Sequence, residues 1–331
     1  MSICLRRREF IAALGGAAAW PLPVSGQQQT KPTIGWVLEG GPGVLLRDVF
    51  EAFRRGVTEI GFLEGRDVTI EYHTTDGHPE RRSALVADLA LRRVAVILAP
   101  TTTSALAAKA ATRTIPVVFA MGSDPVELGL VASLNRPAGN VTGVVSLAAD
   151  IAAKRLELLH KLVPATESIA MLAGSADSPY DQAETRNVQS AARTLGLHLL
   201  TFNVTTESET ATAFATLIER QAGAVLLGAN VQLVPRTDQI ILLAARYALP
   251  TMFYGGSAAR EGGLLSYGPL VSETYRLAGA YTGRVLKGEK PADLPVQRSA
   301  RFEFIINLKT ARTLGLEIPP LLRALADEVI E

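Results

Sequence analysis

From Thr33 to Gly255, short apolar runs alternate with segments whose apolar residues recur at helical spacing, and the alternation runs through twice. The first pass reads TIGWVL, then a helix with Val49, Phe53, Val57 and Ile60 on one face, then DVTIEYH, a helix over 81–92, VAVILA, a helix over 104–112, IPVVFA and a helix over 127–134. After NVTGVVSL and the helical DIAAKRLELLHKLV, the second pass reads SIAMLA, a helix over 180–195, LHLLTFNV, a helix over 207–221, AVLLG, a helix over 235–247 and PTMFYG. Apolar runs with so few polar breaks suit parallel strands covered by helices on both faces. Two α/β lobes in tandem follow. No Gly/Ser-rich linker, low-complexity tract or short repeat separates them.

The chain before Thr33 has a different character. Arg6, Arg7 and Arg8 precede an apolar stretch from Ile11 to Leu22, and Val24, Ser25 and Gly26 follow it. That stretch is shorter than the roughly 20 residues a membrane-crossing helix needs. A positive start, a short apolar middle and a small-residue exit form the pattern of a cleaved export signal, here of twin-arginine type through Arg7, Arg8, Glu9, Phe10 and Ile11. Residues 1–26 are expected to be removed. An ordinary first helix is the alternative, and Gly15, Gly16 and two prolines oppose it. The one cysteine, Cys4, precedes the apolar stretch, so neither a lipid anchor on the mature chain nor a disulfide scaffold is available. Removal of the leader takes three arginines and one glutamate, moving the formal net charge from +1 to -1. With no basic stripe in what remains, nucleic acid and anionic membrane are poor partners. The mature chain of about 305 residues exceeds what one core usually supports, in keeping with two lobes.

Motifs of catalysis are missing. His73, His78, His160 and His198 lack metal-site spacing, so no metal or cofactor is expected. The GGPG at 40–43 follows the first strand without the rest of a dinucleotide fingerprint, and reads as a turn. No G-x-S-x-G elbow and no Walker lysine occur. The N-x-T triplets at Asn140 and Asn203 are of a kind common by chance. Nothing nominates an enzyme.

Polar residues gather instead where strands end, and in open parallel sheets ligands sit beyond the carboxyl ends of strands. Trp36 and Glu39 close the first strand; Thr101, Thr102, Thr103 and Ser104 open the helix after the third. Their hydroxyls and unpaired helix amides either receive an anion or form a plain helix cap. Ser123 and Asp124 stand before Pro125, with Asp124 either a cap or the partner of a ligand ammonium or hydroxyl. The second lobe offers Ser175, Asp177 and Tyr180 after its first strand, Asn230 after its third and Tyr254 after its fourth. Tyr180, Tyr254 or Trp36 is expected to cover an apolar part of a ligand.

Four segments, IPVVFAMGSDPVELGLVASLNRPAGNVTGV, GGLLSYG, GRVLKGEKPADLPV and INLKTARTLGLEIPPLLRALADEVIE, resemble in this order the ABC-transporter substrate-binding family that includes periplasmic tryptophan and aromatic-amino-acid carriers. The resemblance spans nearly all the mature chain. It implies a type I periplasmic-binding-protein fold: two doubly wound parallel-sheet lobes with a hinged cleft, and an ABC permease as partner. On that fold one lobe comprises residues 31–148 plus about 262–295, and the other 149–261 plus about 296–331. The implied protein is a periplasmic monomer that captures a small molecule, such as an amino acid or other small carboxylate, for an importer. Two departures stand out: Ala229, Asn230 and Val231 replace an Asp-Pro or Asp-aromatic pair of many relatives, and Gly255, Gly256 and Ser257 replace a bulkier charged stretch. The second-lobe wall is thereby expected to be roomier or more neutral. A sensory module for a receptor shares every one of these features and is the alternative; an exported α/β enzyme and a repressor's effector domain fit less well.

Overall fold

The computed structural model describes residues 31–39, 47–146, 148–230 and 232–331, and the expected leader and GGPG turn lie outside them. In chain order the first half forms β1 (Thr33–Leu38), α1 (Arg47–Glu59), β2 (Thr69–Thr74), α2 (Arg82–Leu91), β3 (Val96–Ala99), α3 (Thr102–Ala111), β4 (Val117–Met121), β5 (Val141–Val145), α4 (Ala152–Leu162), β6 (Ser168–Ala173) and α5 (Pro179–Leu195). There follow β7 (His198–Asn203), α6 (Glu207–Glu219), β8 (Ala224–Leu227), α7 (Thr237–Arg246), β9 (Thr251–Phe253), α8 (Ser257–Arg260) and β10 (Leu265–Pro269). The last elements are α9 (Val271–Leu286), β11 (Gln297–Arg298), β12 (Phe302–Asn307), α10 (Leu308–Thr313), α11 (Pro320–Leu325) and β13 (Glu328–Ile330).

Two sheets result. The first has the order β11-β5-β4-β3-β1-β2 and is parallel at every pairing. Its apolar runs are buried on both faces because successive side chains point opposite ways. Ile34, Trp36, Val96, Leu98 and Val118 pack with Phe53 of α1 and Ala278 of α9, whereas Val37, Ile97, Val117 and Phe119 pack with Leu89 of α2 and Ala105 of α3. The second sheet has the order β13-β12-β10-β9-β8-β6-β7, with β12 antiparallel to β10 and the other pairings parallel. Ile169 and Met171 face α4 and α5; Ala170 and Leu172 face α6 and α7.

The lobe division differs from the expected one. Leu265–Pro269 belongs to the second sheet, not the first lobe, and Gln297–Arg298 pairs with β5 in the first. The short α8 returns the chain to the strand beside β9, so it stays in the same sheet until Pro269 ends β10. The chain therefore crosses between lobes after β5, after β10 and after β11. These crossings lie side by side: the Ser299 amide donates to the Val145 carbonyl and the Leu270 amide to the Arg301 carbonyl, both at 2.8 Å. The helix expected over 127–134 is replaced by turns. Gly129, at φ +64°, breaks the helical path, and the Leu130 amide reaches back five residues to the Pro125 carbonyl.

Candidate functional site

Strand ends of the first lobe converge on Glu39. Adjacent β1 and β3 place it against the start of α3, where it accepts from Thr101 Oγ1 at 2.8 Å and Thr103 Oγ1 at 2.5 Å. Arg82 of α2 adds a two-pronged contact, with Nε at 2.6 Å from Oε1 and a second nitrogen at 3.3 Å from Oε2. The hydroxyls that the sequence offered to an anion are thus turned onto a carboxylate. Thr101 and Ser104 form a reciprocal capping box, and buried Thr102 reaches Ser123 Oγ at 2.9 Å, tying α3 to the end of β4. Asp124 accepts the Val126 amide at 2.7 Å and the Glu127 amide at 3.4 Å through Oδ1, so it caps a turn and not a helix. Trp36 is wholly buried in the first-lobe core, 4.8 Å from the Phe50 and Phe53 rings. It does not line the cleft as expected, because its place in β1 points it under α1 and α9.

The second lobe presents a more buried wall. The Asp181 carboxylate accepts the Gly174 amide at 3.0 Å and Asn230 Nδ2 at 2.6 Å, while Asn230 Oδ1 accepts the Gln232 amide. Asn230 therefore braces the segment after β8. Ser175 and Asp177 sit in the turn before α5, with the Asp177 amide 3.4 Å from Ser175 Oγ, and Asp177 is exposed. Beneath the wall lies a wholly buried ion pair, Arg155 of α4 with Glu184 of α5. Arg155 also donates to the Leu227 carbonyl, and Glu184 accepts the Ala229 amide.

The two walls meet at Tyr180. A Cβ built on Gly122, just past β4, would lie 2.7 Å from Tyr180 Cε2 and 3.0 Å from Ala148 Cβ, so only glycine allows the ring to lie there. Ala148, Ala149 and Tyr180 form a small apolar cluster with Ala183, Ala229 and Tyr254. The Tyr180 hydroxyl is buried without a partner among the described residues. The Tyr254 hydroxyl faces Ser146 at the end of β5. Tyr275 of α9 is within electrostatic reach of Tyr254 and stacks on Trp36, with ring centres 5.7 Å apart. The structure thus joins Tyr180 and Tyr254 at the lobe junction and adds Ser146 and Tyr275.

Burial governs the titration of this junction. It pushes the Tyr180 phenol well above its ordinary range and the Tyr254 phenol up to about 12. It raises the Asp181 carboxyl despite bonds from Ser178, Asn230 and Gly174, and lifts Glu184 to about 7 against the pull of Arg155. Tyrosines here are neutral hydrogen-bonding groups with apolar faces. Arg82, Ser146, Arg155, Asp181, Glu184 and Tyr275 were not anticipated. A signal existed for two of them: Arg155 interrupts the apolar stripe Ala152, Leu156, Leu159, and Glu184 interrupts Tyr180, Val188, Ala192. Among the described residues no group of three or more His, Cys, Asp or Glu gathers as for a metal ion. An open groove lined by Leu91, Val94, Ile115 and Pro116 lies at the amino ends of β3 and β4, the opposite end from these strand termini.

A family model described as ABC transporter substrate binding protein matches residues 42–330. The Tyrosine-binding protein of Clostridioides difficile (strain R20291) is 26% identical over 284 residues, spanning 81% of this chain and 76% of that protein. Among solved structures, a conserved domain protein from Vibrio cholerae aligns with TM-score 0.82 and 22% identity, covering 91% of this chain and 100% of that one. The ABC domain in complex with L-Trp from Streptococcus pneumonia aligns with TM-score 0.79 and 24% identity over the same shares.

Proposed function

This chain belongs to the ABC transporter substrate-binding protein family, a family of binding proteins and not of enzymes, and from that we propose that it captures a small aromatic amino acid between its lobes and delivers it to an ABC importer after export. The observation that carries the ligand class is the tyrosine-lined junction between the lobes, formed by Tyr180 of α5, Tyr254 after β9 and Tyr275 of α9. Rings of this kind supply flat apolar area, and their hydroxyls supply hydrogen bonds. Asp124, whose Oδ1 is taken by turn amides, offers its other oxygen to the ligand ammonium. The relatives that carry tyrosine or tryptophan in their names support this class. The Glu39 cluster, in which Thr101 and Thr103 are already engaged, argues against a ligand carboxylate at the start of α3. Export rests on Arg7, Arg8 and the short apolar stretch, with a mature chain starting near Gln27.

The test is calorimetry and thermal denaturation with L-tryptophan, L-tyrosine, L-phenylalanine, an aliphatic amino acid and myo-inositol. Saturable binding of an aromatic amino acid, with a raised melting temperature, is expected. Binding confined to the aliphatic amino acid or the polyol overturns the aromatic reading.

A further inference from the structure

The wholly buried pair Arg155–Glu184 has no part in the capture just described. Such a pair gains little net stability over well-packed apolar residues of the same volume, so what it holds matters more than what it contributes. It holds three pieces of one wall. Arg155 Nη1 donates to the carbonyl of Leu227, the last residue of β8. Glu184 takes the Ala229 amide with both oxygens at 3.0 Å. The Arg155 guanidinium carbon stands 5.3 Å from the centre of the Tyr254 ring. Ala229 and Tyr254 both pack against the small cluster of Ala148, Ala149 and Tyr180, where the lobes meet. Directional bonds to a carbonyl and an amide, with a cation against a ring face, fix orientation in a way that apolar packing does not.

We infer that Arg155 and Glu184 are positioning residues for ligand capture, which touch no ligand themselves and hold the segment after β8 and the Tyr254 ring in the geometry that grips one. This rests on the cleft-binding reading above. The titratable and charged groups that face Glu184 are Arg155 from α4, Asp181 and Tyr180 from its own helix, and Tyr254 from the segment after β9. Burial places the Glu184 carboxyl at about 7, so protonation near neutrality discharges one half of the pair and loosens its hold on the Ala229 amide. Affinity is expected to weaken as pH falls from 8 to 6, although protonation of this buried carboxyl favours the folded state. A purely structural role moves affinity and stability together; a positioning role moves them apart.

The experiment compares wild type, E184Q and the volume-matched double variant R155M/E184M. L-tryptophan and L-tyrosine are the probes for calorimetry at pH 6 and 8, and amide hydrogen exchange of Ala229 is followed without any ligand. Wild type is expected to bind about threefold or more weakly at pH 6, and E184Q to lose that pH dependence. Both variants are expected to bind at least about tenfold more weakly at pH 8, with the double variant retaining a near-wild-type melting temperature. Exchange at Ala229 is expected to quicken by about tenfold or more in the double variant, and less in E184Q, whose amide oxygen still accepts from Ala229. Wild-type affinity in the folded double variant, or unchanged Ala229 exchange, overturns the inference. If neither probe binds wild type, the aromatic-ligand reading falls, and Ala229 exchange alone decides for or against positioning. Should E184Q not fold, the double variant carries both arms.

Discussion

The Tyr180 hydroxyl is a buried polar atom with no partner among the described residues, and its cost of about 1–3 kcal/mol persists unless a ligand or water satisfies it. Y180F is accordingly expected to gain about 1 kcal/mol in urea denaturation and to bind an aromatic ligand more weakly. A variant that gains stability with unchanged affinity would remove the hydroxyl from the site. Asp124 separates capping from contact in one pair of variants. D124N keeps an oxygen for the Val126 amide and loses the charge, so affinity is expected to fall at least about tenfold, or about 1.4 kcal/mol, with stability little changed. D124A should lose the turn as well, about 1 kcal/mol more. Wild-type affinity in folded D124N would leave only the cap. Which residues gather at strand ends was legible because polar side chains interrupt apolar runs there. Trp36 misled for the opposite reason: an aromatic residue near a strand end says nothing about which face it takes.

Helix against helix, α1 and α9 cross with their backbones in close approach. A Cβ on Gly56 would lie 1.9 Å from the Arg276 carbonyl oxygen, and one on Gly279 2.1 Å from the Phe53 carbonyl oxygen. Both obstacles are backbone and cannot swing away. Gly→Ala inside an exposed helix ordinarily gains about 1 kcal/mol, whereas overpacking costs about 1–3 kcal/mol or more, so the sign of the change is informative. G56A and G279A are each expected to destabilise, with α9 displaced from the first lobe. A gain in stability by either would show that the helices are not held this close. Most strands and helices were legible from period alone, since parallel strands buried on both faces read as unbroken apolar runs. The turns at 127–134 were not, because the apolar residues there repeat like a helix while Gly129, at positive φ, turns the backbone off the helical path.

At the scale of the whole molecule, Glu184 links folding to pH. Its carboxyl rises from 4.5 to about 7 on folding, so the folded protein keeps a proton that the unfolded chain has already released. The stabilisation is complete below about pH 4.5 and is lost as pH rises through about 7; the raised Asp181 acts in the same sense. Urea denaturation at pH 5.5 and 8.5 should show wild type less stable at the higher pH and E184Q with a shallower slope. An equal slope in the two proteins would relocate the titration. Three adjoining crossings also predict a hinge. Small-angle scattering is expected to show a smaller radius of gyration once an aromatic ligand is bound, and no change would count against closure. Export is checked separately: replacing Arg7 and Arg8 by lysine should leave the precursor inside the cell, and normal processing would rule out the twin-arginine route.

Local chemistry sufficed for the two-lobe α/β architecture, because hydrophobic period and run length are properties of neighbours in the chain. The placement of β10 in the second sheet, the turning of Thr101 and Thr103 onto Glu39, and the closure of Tyr180 over Gly122 were decided only by tertiary structure. Each joins residues tens of positions apart through strand order, and strand order leaves no mark on the local period. The buried Arg155–Glu184 pair stands between these cases: each charge is visible as a break in an apolar stripe, but that the two breaks answer one another, 29 residues apart, follows only from the packing of α4 against α5.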